Sequence, residues 1–288
     1  MEFYNYKYGN YNIDSQYPLS NISEATCTDT YPQIIKIRKY KHQIEYNRCI
    51  SYSDDDIQYY FDFVKNTIYV NNYTLNSFAE TIYALPLTLI LIYNGYVPLH
   101  CSAVENNGNI FLFMADKGIG KSTLTLYLSK YINIFTDDQL FVLGTDNKLF
   151  FKPSNIMKLT HDSFMYIGGE AEYSACYNNF YNKAIINIDD KINNCRRLPQ
   201  NLKIKKCFFL ERYKGNNFKT ESITKDITAK TKLFQNISLK KYLNQEDFSK
   251  IIKSPFWDSY TEIEYSKLYI PDITDYYNNI KALLDILC

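Results

Sequence analysis

Between Ala115 and Thr123 the chain reads Ala-Asp-Lys-Gly-Ile-Gly-Lys-Ser-Thr. The apolar run Ile110 to Met114 comes immediately before it, and an apolar-periodic stretch from Ser122 to Tyr131 comes immediately after. Strand, glycine loop and helix in that order constrain the fold more than any other feature of the sequence. A short strand apolar on every residue belongs inside a sheet, and the helix that follows must pack back on it.

The loop also has the chemistry of a phosphate cradle. Small residues let successive backbone N–H groups turn inward around an anion. A lysine then reaches the outer phosphates, and a hydroxyl on the first helical turn holds magnesium. Gly118, Gly120, Lys121 and Ser122 meet these needs, and the nucleotide-binding candidates are Lys117, Gly118, Ile119, Gly120, Lys121, Ser122 and Thr123. The strict pattern has glycine first, where this chain has Ala115. Alanine lacks free access to positive φ, so the loop is expected to start from an ordinary backbone there.

Asn133 to Thr136 reads as the next strand and closes on Asp137-Asp138. If it neighbours the strand feeding the loop, both acids reach the edge where open sheets bind ligands. One carboxylate can then hold magnesium while the other accepts a proton from an attacking hydroxyl. Adjacent strand residues point to opposite faces, so only one of the two need be functional.

Upstream, Val97 to Val104 reads as one strand, with His100 and Ser102 on one face and Cys101 on the core side. Asn107-Gly108 is a hairpin signal joining it to the loop strand. Arg196-Arg197 follows a strand predicted at Ala184 to Ile188 and is a candidate phosphate clamp.

Composition narrows the partners. The 288 residues carry a formal charge of +1, from 32 basic and 31 acidic side chains, which gives no electrostatic reason to expect nucleic acid or an anionic membrane. Seven scattered cysteines without a CxxC pair suggest neither a zinc site nor a disulfide framework. The N-terminus lacks a signal-peptide apolar run, and Ala84 to Tyr93, interrupted by Pro86, falls well short of a membrane span. A cytoplasmic location is the expectation. The 29 tyrosines, with abundant Asn, Ile and Lys, read as AT-rich codon usage.

Residues 1–31 read as an irregular arm. Strands at Ile34 to Ile37, Gln43 to Tyr46 and Tyr59 to Val70 predict a small antiparallel sheet. Ser77 and Glu80 have capping-box spacing, and Pro86 either kinks that helix or opens a second one to Tyr93. Further strands are predicted at Leu140 to Leu143, Leu149 to Lys152 and Lys205 to Tyr213. A C-terminal amphipathic helix presents Ile273, Tyr276, Tyr277, Ile280, Leu283, Leu284 and Leu287. The expected division is a β-rich element with helices over 1–96, packed on a catalytic domain over 97–288.

Taken together, Leu99 to Val104, Ala115 to Ser122 and Phe135 to Asp138 resemble the catalytic domain of HPr kinase/phosphorylase. In style they are closest to the shorter HPr-kinase-like proteins that phosphorylate lasso-peptide precursors. The specific likeness spans about Val97 to Phe141, with a looser one over Lys152 to Leu159 and Lys191 to Leu210. The resemblance implies an α/β fold with a mixed sheet, of the HPr kinase/phosphoenolpyruvate carboxykinase type, extended by the N-terminal β-rich element. It implies ATP and Mg²⁺ as cofactors and a serine-bearing peptide or small protein as acceptor. Carried over by position, Lys121 and the loop amides hold phosphates and Ser122 binds magnesium. Asp137 is the general base, with Asp138 and His100 supporting the metal and the transferring group.

Two departures stand out. No Glu-Ile-Arg-Gly counterpart supplies the second metal-site glutamate, for which Glu170 and Glu172 are weak substitutes. Residues 1–96 do not resemble the family's regulatory domain, which argues against HPr as substrate. The leading expectation is thus a magnesium-dependent serine kinase, with homo-oligomerisation left open. A kinase of a small metabolite and a nucleotide-binding regulatory module without transfer activity are the alternatives.

Overall fold

In the computed structural model, the described residues are 4–8, 11–19, 33–40, 45–52, 57–71, 82, 85–145, 150–151, 156–165, 167–179, 182–188, 202–271 and 280–287. The chain begins with β1 (Tyr4–Tyr8), β2 (Tyr11–Ser15), β3 (Gln33–Lys39), β4 (Arg48–Tyr52), β5 (Ile57–Asp62) and β6 (Thr67–Asn71). Then come α1 (Leu85–Tyr93), β7 (Val97–Leu99), β8 (Ser102–Asn106), β9 (Asn109–Met114), α2 (Lys121–Leu128) and β10 (Asn133–Thr136). The middle holds β11 (Leu140–Val142), β12 (Phe150–Phe151), β13 (Ile156–Leu159), α3 (His161–Phe164), α4 (Glu170–Cys176), β14 (Tyr177–Asn178) and β15 (Lys183–Asn187). The last part carries β16 (Lys203–Tyr213), β17 (Lys219–Ser222), α5 (Ile227–Gln235), α6 (Gln245–Ile252), α7 (Phe256–Ser259), β18 (Glu264–Pro271) and α8 (Ile280–Leu287). This is a mixed α/β chain. No helix among the described residues is long and apolar enough to cross a membrane.

Two units separate by their internal contacts. The first is Met1–Pro98 with Leu239–Ser254, and the second is Leu99–Ser238 with Pro255–Cys288. In the first, one sheet runs in the order β1-β2-β3-β6-β5-β4. Alternate residues face its core, where Ile13, Ile35, Ile37, Tyr59 and Phe61 are fully buried. The sheet is mixed rather than antiparallel, because β2 and β6 both run parallel to β3. Two of its strands, β1 and β2, lie in the arm expected to be irregular. Tyrosine and asparagine hid the alternation there, although Tyr11 and Ile13 are buried.

Of the run expected at Gln43 to Tyr46, residues 43–44 lie outside the described residues and Glu45 and Tyr46 are in no strand; the strand comes later, at β4. The long run to Val70 folds into a β5–β6 hairpin, with Asn66 at φ 48 in its turn. The proposed Ser77–Glu80 cap lies outside the described residues. Pro86 opens α1, where its missing N–H costs nothing. Arg48 of β4 reaches Asp247 of α6 at 2.5 Å, and the Asp247 carboxylate is fully buried.

The second unit is built on the sheet β10-β8-β9-β16-β18-β17. The expected β8–β9 hairpin forms through Asn107 and Gly108, both at positive φ. β16 runs parallel to both β9 and β18, so the ends of β9 and β16 open toward the same edge. Phe111, Phe113, Phe208, Leu124, Leu128, Leu283 and Leu287 share one core beneath α2 and α8. Ile273, Tyr276 and Tyr277 lie outside the described residues. The acids' strand, β10, pairs with β8 and not with the loop strand β9. A smaller sheet, β13-β15-β14, shares a second core with Leu126 and Ile134.

Truncating Arg48 strands the buried Asp247 charge, a change that typically costs about 3–5 kcal/mol. Urea unfolding of Arg48→Ala is expected to show a loss of that size. A loss below about 1 kcal/mol, the level of an ordinary surface change, would mean Asp247 is satisfied without it.

Candidate functional site

The glycine loop leaves β9 at Met114 and ends at Gly120, the residue before α2. Gly118 and Gly120 have φ of 89° and 111°, a region that side chains rarely enter. Ala115 is not among the positive-φ residues, so the loop does start from an ordinary backbone as its departure from glycine required. Lys121 is nearly buried, and its ammonium donates to the carbonyl of Ala115 at 2.6 Å and more weakly to that of Asp116 at 3.5 Å. Burial pushes the Lys121 pKa down, partly opposed by the charge of Asp137. Lys117 is exposed, and Thr123 Oγ1 lies 3.2 Å from Ser163 Oγ on α3.

Asp137 follows β10 and is 5% exposed. Its Oδ1 accepts two hydroxyl hydrogen bonds, from Ser102 of β8 at 2.5 Å and from Ser122 of α2 at 2.8 Å. Burial raises the Asp137 pKa, and the bonds from Ser102 and Ser122 only partly oppose it. The intervening strand β8 thus supplies a hydrogen-bond donor, Ser102, to the acid.

Asp138 has a different environment. Its backbone is left-handed at φ 77, a conformation that Asp tolerates better than most residues, and this turns it away from its neighbour. The Thr136 hydroxyl closes the turn on the Gln139 carbonyl at 3.0 Å. Lys158 of β13 lies 3.0 Å from Asp138 Oδ2. His100 Nδ1 lies 3.0 Å from the Asp138 carbonyl and 3.3 Å from its Oδ1. Both partners are acceptors, so the proton sits on Nδ1. The surrounding protein disfavours the charge on Asp138, but His100 and Lys158 more than offset this and hold the carboxyl well below its ordinary range. The side chain is 50% exposed, which leaves it open to a ligand.

His100 and Ser102 do not share one strand face. The run from Val97 breaks into β7 and β8, and His100 lies in the gap, its N–H on the Asn236 carbonyl at 2.7 Å. Both still reach the acid pair, but at different acids. Cys101 is fully buried, as a core residue should be. Glu170 accepts from His161 at 2.8 Å, and Glu172 accepts from the Gly169 N–H at the start of its own helix. Arg196 and Arg197 lie outside the described residues. Sequence reasoning missed Lys158, one of many lysines, whose only signal was its alternation with Met157 and Leu159 on a short strand.

A nucleotide with magnesium fits this set of residues. Lys121 and the open backbone of the loop suit phosphates. The buried Asp137, with a serine hydroxyl on either side, suits a hard cation. Among the described residues no three His, Cys, Asp or Glu side chains gather as a metal cage, but magnesium is commonly held by one or two carboxylates and substrate phosphates.

No family model and no curated protein matches the chain. Among solved structures it is similar to the Hpr(Ser) kinase/phosphatase from Coxiella burnetii, at 14% identity and a TM-score of 0.30, over 66% of this chain and 95% of that one.

The raised pKa means that an ionised Asp137 costs folding free energy at neutral pH, where the acid is unprotonated in the unfolded chain. Asp137→Asn keeps an acceptor for both serines and removes the charge. In the absence of nucleotide and magnesium, its thermal midpoint at pH 7 is expected to exceed that of the wild type. A lower midpoint in calorimetry would show that the carboxylate is well satisfied as it stands.

Proposed function

We propose that the chain is a magnesium-dependent kinase that moves the γ-phosphoryl group of ATP to a serine hydroxyl of a peptide or small protein. The observation that carries the reading is the meeting of Ser122, at the start of the loop's helix, with the buried Asp137. In phosphate-loop enzymes a hydroxyl of that kind and an acid from another strand share the ion. The serine acceptor rests on the family resemblance.

Lys121 and the amides of the loop would hold the outer phosphates, while Ser122 and Asp137 would hold magnesium. Bound there, magnesium would neutralise the charge that develops on the transferring phosphate. The resemblance implied the base at Asp137 and the metal at Asp138. The contacts favour the exchange of these roles, since Ser122 bonds to Asp137 and the more exposed Asp138 faces outward. Phosphoryl transfer passes through a loose transition state, so the acceptor needs orienting more than it needs a strong base. A carboxylate held ionised by His100 and Lys158 can do that. Asp138 accepts the serine O–H, and it takes the proton as the new O–P bond forms and the bond from the γ-phosphorus to ADP breaks.

One observation favours the binding-module reading instead: Lys158 already sits on Asp138 Oδ2. Transfer from labelled ATP to serine-bearing peptides, including those encoded beside the gene, separates the two. Asp138→Asn is expected to lose about 10²–10⁴-fold in transfer rate with nucleotide affinity little changed. Asp137→Asn should instead weaken magnesium-dependent binding, and Lys121→Ala should weaken nucleotide binding outright. Full transfer by Asp138→Asn would remove it from the chemistry, and a wild type that binds ATP but modifies no peptide would favour the module.

A further inference from the structure

Arg212 comes from β16, the sheet neighbour of the strand that feeds the glycine loop. The two strands pair up to Phe209 opposite Met114, so Arg212 lies three residues past the end of β9, alongside the loop itself. Its Nε donates to the carbonyl of Ile119 at 2.9 Å, and its Nη1 to that of Pro271, the last residue of β18, at 3.1 Å. The third nitrogen covers Gly120: a Cβ built there would lie 2.9 Å from Nη2.

We infer that Arg212 is a positioning residue for the phosphate loop. The inference rests on the proposed nucleotide site. A trans peptide sets C=O and the following N–H on opposite sides of one plane. Holding the Ile119 carbonyl outward on Arg212 therefore turns the Gly120 N–H the other way, into the cradle. Pro271 fixes the guanidinium from behind, so the orientation is imposed by the sheet and is set before any anion arrives. Glycine at 120 then has two causes, a left-handed φ and a guanidinium over the position where a side chain would begin. Lysine could not replace Arg212, because one ammonium on a flexible stem cannot span two carbonyls with a rigid fork.

The test is binding of Mg-ADP by calorimetry to the wild type, Arg212→Lys and Arg212→Ala. Thermal midpoints without nucleotide are measured in parallel. Loss of a charged hydrogen bond of this kind is expected to weaken Mg-ADP binding by about 10–100-fold in Arg212→Ala, with Arg212→Lys recovering little of it. Guanidinium ion at low millimolar concentration should restore part of the affinity to Arg212→Ala and none to Arg212→Lys. Wild-type affinity in Arg212→Ala would overturn the inference and leave the nucleotide site standing. A weaker Arg212→Ala with a matching fall in the nucleotide-free midpoint and no rescue would make Arg212 a general strut, which also overturns it. A wild type that does not bind Mg-ADP would overturn the nucleotide site and the inference together.

Discussion

Asp137 carries a negative charge into a place where water hardly reaches, and its Oδ1 ties together the end of β10, the start of β8 and the first turn of α2. Ser102 begins β8, Ser122 lies in the first turn of the helix after β9, and Asp137 follows β10. The three strands are consecutive in the sheet, so the site depends on the order β10-β8-β9. A buried carboxylate whose hydrogen bonds come from two hydroxyls and a backbone N–H, that of Lys158, remains costly, because neutral donors replace hydration incompletely. Positive charge brought to that point would relieve the cost, which is why a mechanism built on a cation suits the arrangement.

The adjacent acid shows how one backbone angle separates two chemistries. Along a regular strand, successive side chains merely alternate faces. The left-handed turn at Asp138 ends the strand and sends that carboxylate toward His100 and Lys158. One acid is enclosed with its pKa raised, while its neighbour is half open with its pKa lowered. Environments that push two neighbouring carboxyls in opposite directions are those from which a site obtains two roles.

Much of this was legible in the sequence where local rules govern. The glycine loop, the Asn107-Gly108 hairpin and the strand ending in the acid pair follow from turn chemistry and apolar runs that act within a few residues. What escaped depends on distant pairing. That β8 separates β9 from β10 is a choice of sheet order, and no periodicity encodes it. Lys158 and Arg212 look like any other basic residue on a strand until the sheets bring them to Asp138 and Ile119. The tyrosine-rich β1 and β2 were missed because Tyr serves equally in a core and on a surface, which blurs alternation.

The assignment of Leu239–Ser254 to the first unit has a consequence for the covalent path. The chain passes from the first unit to the second, back to the first and again to the second, so neither unit is one continuous stretch of polypeptide. A cut after Pro98 would not free an intact half. It would part Arg48 from Asp247, leaving each fragment with one member of an ion pair formed to neutralise the other. The first unit can complete its fold only after the ribosome has made most of the second, so during synthesis the early sheet waits for α6 while the residues of the glycine loop and the acid pair emerge.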